Sequence, residues 1–161
     1  MSRVLYDKAR EARMNALKQL NDLGQAFWMD FIRRKVLTDG EVKRLIGEDG
    51  LSGMTSNPTI FDEAIGGGEE YDEQLHELLG DDPEASPADV FESIEVRDIQ
   101  MAADLLKVVY DRTDGGDGYI SLEVPPDLAH DTERTVEVAR HLWERVDRPN
   151  LMIKVPATAE G

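Results

Sequence analysis

The chain has 161 residues; 18 are Lys or Arg and 34 are Asp or Glu, giving a formal charge of −16, while 40% are apolar and none is cysteine. The apolar share is enough for a core and the length suits one domain or part of one, whereas the charge opposes binding to nucleic acid or an anionic membrane. Without cysteine, without an apolar run near the roughly 18 residues of a spanning helix, and without an apolar segment near the N-terminus, the sequence reads as a soluble protein of a reducing cytoplasm.

Residues 7–24 carry Ala9, Ala12, Ala16, Leu20 and Leu23 every three or four positions, which predicts a helix stopped by Gly24. Residues 26–32 form a short apolar run with one carboxylate, Asp30, as expected of a strand covered on both faces. Thr38 and Glu41 have capping-box spacing ahead of a helix with Val42, Leu45 and Ile46, and Gly50 follows its end. Residues 51–57 predict a second strand, closed by Pro58, which cannot donate to a ladder. Residues 62–85 are polar and broken by glycine, with a short helix expected over 71–79.

Ser86-Pro87-Ala88-Asp89 marks a helix start, with a cap, a first-turn proline and an acid near the positive dipole end. That helix should run to about Tyr110 and bury Phe91, Ile94, Ala102, Leu105 and Val109. After a turn over 114–118, residues 119–124 predict a third strand, stopped by Pro125 and Pro126. A helix over 132–146 carries Val136, Ala139, Leu142, Trp143 and Val146, and residues 151–155 predict a fourth strand stopped by Pro156. Strands alternating with helices imply a parallel sheet with right-handed crossovers.

Each predicted strand places a reactive or hydrogen-bonding group near its C-terminal end: Asp30, then Thr55 and Asn57, then Glu123, then Lys154. Strand alternation puts Thr55 with Asn57, Ser121 with Glu123 and Met152 with Lys154 on common faces. A polar strand end is ordinary when it occurs once, but one per strand is the pattern of a (β/α)8 barrel, whose active site lies at the C-terminal mouth.

Lys154 has two readings. Held away from water, a lysine amine favours its neutral, nucleophilic form and can condense with a ketone; alternatively it pairs with Glu123 or reaches to the rim. Asp30 and Glu123 either supply the carboxylates that proton transfer at an imine requires, or serve as salt-bridge partners. Arg33 and Arg34, after the first strand, either face an anionic substrate or are solvated charges at a helix entry.

Weaker signals fall away. Gly66-Gly67-Gly68 lacks the lysine and hydroxyl of a phosphate loop, and residues 111–122 end in Leu122 where a calcium loop needs glutamate. His76, His130 and His141 read as surface or satisfied side chains, so no metal is expected.

Thr55-Ser56-Asn57-Pro58-Thr59, Ser121-Leu122-Glu123-Val124 and Ile153-Lys154-Val155-Pro156-Ala157-Thr158, with Asp30 on the first strand, resemble in order and spacing the successive strand motifs of the transaldolase family, in its longer bacterial form. Pro125-Pro126 departs from some members, where an acidic or small residue stands. The resemblance implies a class I aldolase-type barrel with no metal or organic cofactor. It implies that Lys154 forms a Schiff base with C2 of a ketose phosphate, that Asp30 takes the C4 hydroxyl proton as C3–C4 breaks, and that Glu123 moves protons through a water. Asn57 would hold the dihydroxyacetone unit and Thr55 would order the hydroxyl network.

The implied reaction transfers dihydroxyacetone from sedoheptulose 7-phosphate or fructose 6-phosphate to glyceraldehyde 3-phosphate or erythrose 4-phosphate, in the non-oxidative pentose phosphate pathway. A complete barrel needs about 200 residues, so residues 1–161 are expected to form the N-terminal half of a single domain, with the phosphate-binding residues beyond Gly161. Half a barrel leaves open strand edges. That predicts self-association, pairing with the other half, or poor stability, and little activity alone. A class I aldolase releasing free dihydroxyacetone and a non-catalytic half-barrel module are the other two readings.

Overall fold

Four strands, β1 (Phe27–Asp30), β2 (Leu51–Thr55), β3 (Ile120–Glu123) and β4 (Leu151–Lys154), form one parallel sheet in the order β1-β2-β3-β4. The computed structural model describes residues 15–161, so the N-terminal part of the helix expected over 7–24 lies outside the described residues. Its remainder is α1 (Ala16–Asp22), started by Asn15, whose side-chain oxygen accepts from the N–H groups of Leu17 and Lys18. Gly24, at φ +80°, ends it as expected. The apolar stripe is not buried, however: Leu20 and Leu23 are exposed. Polar ties hold α1 instead, Lys18 donating to the Gly47 carbonyl and Asn21 to the Gly50 carbonyl.

Two short helices, α2 (Arg34–Thr38) and α3 (Glu41–Arg44), join β1 to β2, and α3 continues into a π-helical turn, Leu45–Asp49. The Thr38–Glu41 capping box does not form. Thr38 lies in the last turn of α2 and its hydroxyl donates back to the Arg34 and Lys35 carbonyls. Asp39 accepts from the Glu41 N–H and Gly40 makes the left-handed link at φ +92°. An Asp-Gly pair suits that link better than threonine, because glycine enters the left-handed region without a steric penalty.

The segment after Pro58 holds a helix that the sequence reading missed, α4 (Pro58–Gly66). Asn57 caps it, accepting from the Ile60 N–H at 3.0 Å, and Pro58, which closes β2, doubles as a first-turn proline. Next come α5 (Asp72–Asp81) and α6 (Pro87–Arg112), the latter starting from Ser86 as read. Ile94, Ala102 and Val109 of α6 are buried, together with Ile99, Ala103 and Leu106, while Phe91 and Leu105 pack on the core half-buried. In α7 (Thr132–Val146) the buried side is Thr135, Leu142 and Val146; Val136 and Trp143 sit a step round the helix and are exposed, contrary to the expected stripe.

Phe27, Met29, Met54, Ile120, Leu122, Leu151 and Ile153 face the helices and share one core with Ile99, Ala102, Leu106, Leu142 and Val146. By alternation the other face carries Trp28 and Asp30, Gly53 and Thr55, Ser121 and Glu123, Met152 and Lys154. Asp30 and Met152 are exposed there. Trp28 and Gly53 are register partners, and a Cβ on Gly53 would lie inside the Trp28 ring, so glycine is what lets the indole lie against β2. The β2–β3 seam is thin, with one register pair, Met54–Ile120. It is reinforced by the Gly118 N–H on the Ser52 carbonyl at 2.8 Å and by the Ser56 hydroxyl on the Ser121 carbonyl at 2.7 Å.

Candidate active site

The sheet register brings the strand-end residues together in pairs. Asp30 and Thr55 are partners across β1 and β2, and the Thr55 hydroxyl donates to the Asp30 carboxylate. Glu123 and Lys154 are partners across β3 and β4, and Lys154 Nζ lies 2.9 Å from Glu123 Oε2. The same Nζ donates to the Ser56 carbonyl at 3.1 Å. That bond crosses the sheet, linking the Glu123–Lys154 pair to the end of β2 next to Thr55. All four strand ends therefore meet at one mouth, as alternation predicts.

Lys154 is not shielded from water in this chain. Its side chain is 41% exposed and that of Glu123 is 29% exposed, so of the two readings the ion pair is the one present. The pairing does not remove the chemistry. A carboxylate in contact with the amine is placed to accept the proton the amine must lose before it attacks a carbonyl. Asp30, exposed and oriented by the Thr55 hydroxyl, is a second acceptor at the same mouth.

Asn57 has a structural duty that the sequence reading did not foresee. Its Oδ1 is taken by the α4 cap, which leaves Nδ2 as the group able to donate to a ligand. Ser56 went unnoticed because alternation places it behind the face that carries Thr55 and Asn57. It is fully buried, and only its backbone carbonyl reaches the site. The signal was its neighbours: the residue between two site residues necessarily contributes the peptide groups there.

Neither arginine after β1 faces the mouth as a free cation. Arg33 pairs with Glu70. Arg34 pairs with the fully buried Asp98, donates to Gln74 at 2.6 Å and stacks over the Tyr71 ring, 4.9 Å from its centroid. Tyr71 completes this network by donating to Asp98 at 3.0 Å and accepting from the Arg34 N–H at 2.9 Å. Burial pushes the Asp98 carboxyl up, and Arg34 and Tyr71 oppose it.

Behind the mouth, a cleft of about 260 Å³ is lined by Pro58, Phe91, Glu95, Glu123, Pro125 and Leu142. Burial pushes the Glu95 carboxyl up to about 8, and Glu92 adds to the effect. His141 lies 2.8 Å from Glu92 and His130 lies 3.4 Å from Glu160, both on the surface. Among the described residues no group of three or more His, Cys, Asp or Glu could hold a metal ion, and no helix is long and apolar enough to cross a membrane.

The sequence matches the Transaldolase/Fructose-6-phosphate aldolase family over residues 27–161, a span that takes in all four strands. It is 47% identical over 148 residues to Transaldolase of Thiobacillus denitrificans, covering 92% of this chain and 41% of that protein. It is 52% identical over 145 residues to Transaldolase of Thermobifida fusca, covering 90% and 39%, and 48% identical over 145 residues to Transaldolase of Saccharopolyspora erythraea, covering 90% and 38%. The chain thus spans about two fifths of the length of these curated relatives.

Proposed function

The chain belongs to the transaldolase/fructose-6-phosphate aldolase family of (β/α)8 barrels, and we propose that it supplies the Schiff-base half of a transaldolase active site. The observation that carries this reading is the Glu123–Lys154 contact at the ends of adjacent strands, beside the Asp30–Thr55 pair.

Lys154 loses a proton to Glu123 and its lone pair adds to the C2 carbonyl of a ketose phosphate. A second proton passes from the adduct nitrogen to the carbonyl oxygen to give a neutral carbinolamine, and departure of that hydroxyl with the proton held on Glu123, as water, leaves a protonated imine. Asp30 then takes the C4 hydroxyl proton. The C3–C4 bond breaks, an aldose phosphate leaves, and the bonding electrons flow into the imine. Reversal on a second aldose phosphate forms the new C–C bond, and water releases the product. Asn57 holds the three-carbon unit through Nδ2, and Thr55 keeps Asp30 oriented. The protonated imine is the electron sink, so the proposal needs no cofactor.

Strands beyond these four are proposed to close the barrel, against the open edges of β1 and β4, and to supply the phosphate-binding groups. The substrates proposed are those of the transaldolase reaction, fructose 6-phosphate or sedoheptulose 7-phosphate with erythrose 4-phosphate or glyceraldehyde 3-phosphate, and the location is the cytoplasm, where these sugars are made and consumed. The test is incubation of the full-length protein with fructose 6-phosphate and erythrose 4-phosphate. Sedoheptulose 7-phosphate and glyceraldehyde 3-phosphate are the products expected. Free dihydroxyacetone as the main product would make it an aldolase instead, and no conversion of fructose 6-phosphate would overturn the assignment.

A further inference from the structure

Resting on the Schiff-base reading above, we propose that Ser56 is a positioning residue: its buried hydroxyl, anchored on β3, aims its own carbonyl at Lys154 and keeps it there when the imine forms. Ser56 is fully buried, its hydroxyl donates to the Ser121 carbonyl at 2.7 Å, and its carbonyl accepts from Lys154 Nζ at 3.1 Å. The backbone ladder between β2 and β3 contains one register pair, Met54–Ile120, two residues before Ser56. At Ser56 itself the side-chain bond does what a ladder bond would do. On its other side the peptide runs into Asn57 and Pro58, which are fixed by the cap and first turn of α4.

The count of N–H groups gives this arrangement a consequence for the reaction. The lysine ammonium has three, and Glu123 and the Ser56 carbonyl engage two of its directions. Loss of a proton to Glu123 frees the amine to attack, formation of the neutral carbinolamine removes a second proton from nitrogen, and departure of the hydroxyl as water removes none. The protonated imine, C=N–H⁺, keeps a single N–H and can satisfy one acceptor.

The Glu123 carboxylate sits on rotatable bonds, whereas the Ser56 carbonyl is held between a buried hydroxyl bond and a helix cap. The N–H therefore stays with Ser56, and Glu123 is released to move protons to and from water. A fixed carbonyl dipole also suits the cationic nitrogen of the imine, since it needs no reorganisation as the charge is established.

The experiment is rapid borohydride quenching of the full-length protein with fructose 6-phosphate, comparing the parent with Ser56→Ala and Ser56→Cys and recording each melting temperature. The proposal expects imine formation about tenfold slower in the alanine variant and about threefold slower in the cysteine variant, whose thiol is a longer, weaker donor, with the half-saturating sugar concentration unchanged. Rates indistinguishable from the parent overturn it. If the alanine variant does not fold, the cysteine variant decides by the same criterion. A parent that forms no adduct overturns this proposal together with the function it rests on, whereas a parent that forms one and variants that match it overturn the positioning alone.

Discussion

Glu123 and Lys154 occupy the same register level of β3 and β4, and their carboxylate and amine are in contact at 2.9 Å. The contact gives each a defined part: the carboxylate is the nearest acceptor for the proton that the amine sheds. Glu123→Gln keeps the shape and removes the base, so imine formation by the full-length protein should slow by about 100-fold. Quenched-flow trapping at saturating fructose 6-phosphate checks this. A Gln variant as fast as the parent would show that another group takes the proton.

Asp30 acts later in the proposed sequence. Asp30→Asn leaves the Thr55 hydroxyl an acceptor and leaves Lys154 untouched, so the imine should still form while C3–C4 cleavage slows by about 100-fold. Mass spectrometry of the reduced adduct should then show the whole ketose phosphate on the protein, where the parent shows the three-carbon unit.

Asn57 combines a cap with a proposed ligand contact, and two substitutions separate them. Asn57→Asp retains the oxygen that accepts from the Ile60 N–H but loses the Nδ2 donor. Asn57→Ala loses both and should cost about 1 kcal/mol of stability through the cap. Activity should fall in both variants, but the melting temperature should fall only in the alanine variant.

Glu95 makes stability depend on pH. Its folded-state value, about 8, lies above the 4.5 of an ordinary glutamate, so the folded protein holds a proton that the unfolded chain has released. Stability from this group is therefore greatest below about pH 4.5 and declines as pH rises to about 8, by an amount on the order of a few kcal/mol. Glu95→Gln removes the dependence. The melting temperature of the variant relative to the parent should rise between pH 5 and pH 8, and a constant difference would contradict the assignment.

Much of this was legible in the sequence, for identifiable reasons. Strand type and order followed from short apolar runs, three of them ended by prolines, and Gly24, Gly50 and Ser86 marked helix ends because their backbone chemistry is local. Asp30, Thr55, Glu123 and Lys154 share a mouth because strand alternation and a parallel register leave little choice. What escaped needed tertiary information. The helix after Pro58 hid behind a proline read only as a strand stop. Arg34 read as either a substrate-facing or a solvated charge, and is neither, because it meets Asp98, 64 residues away. The Thr38 capping box lost to the adjacent Asp39-Gly40, a competition that spacing alone does not decide.

The most direct measurement is peptide mapping after borohydride reduction of the full-length protein with fructose 6-phosphate. The account predicts one modified lysine, Lys154, and no adduct in Lys154→Met. An adduct on another lysine, or a Lys154→Met variant labelled as fully as the parent, would contradict it.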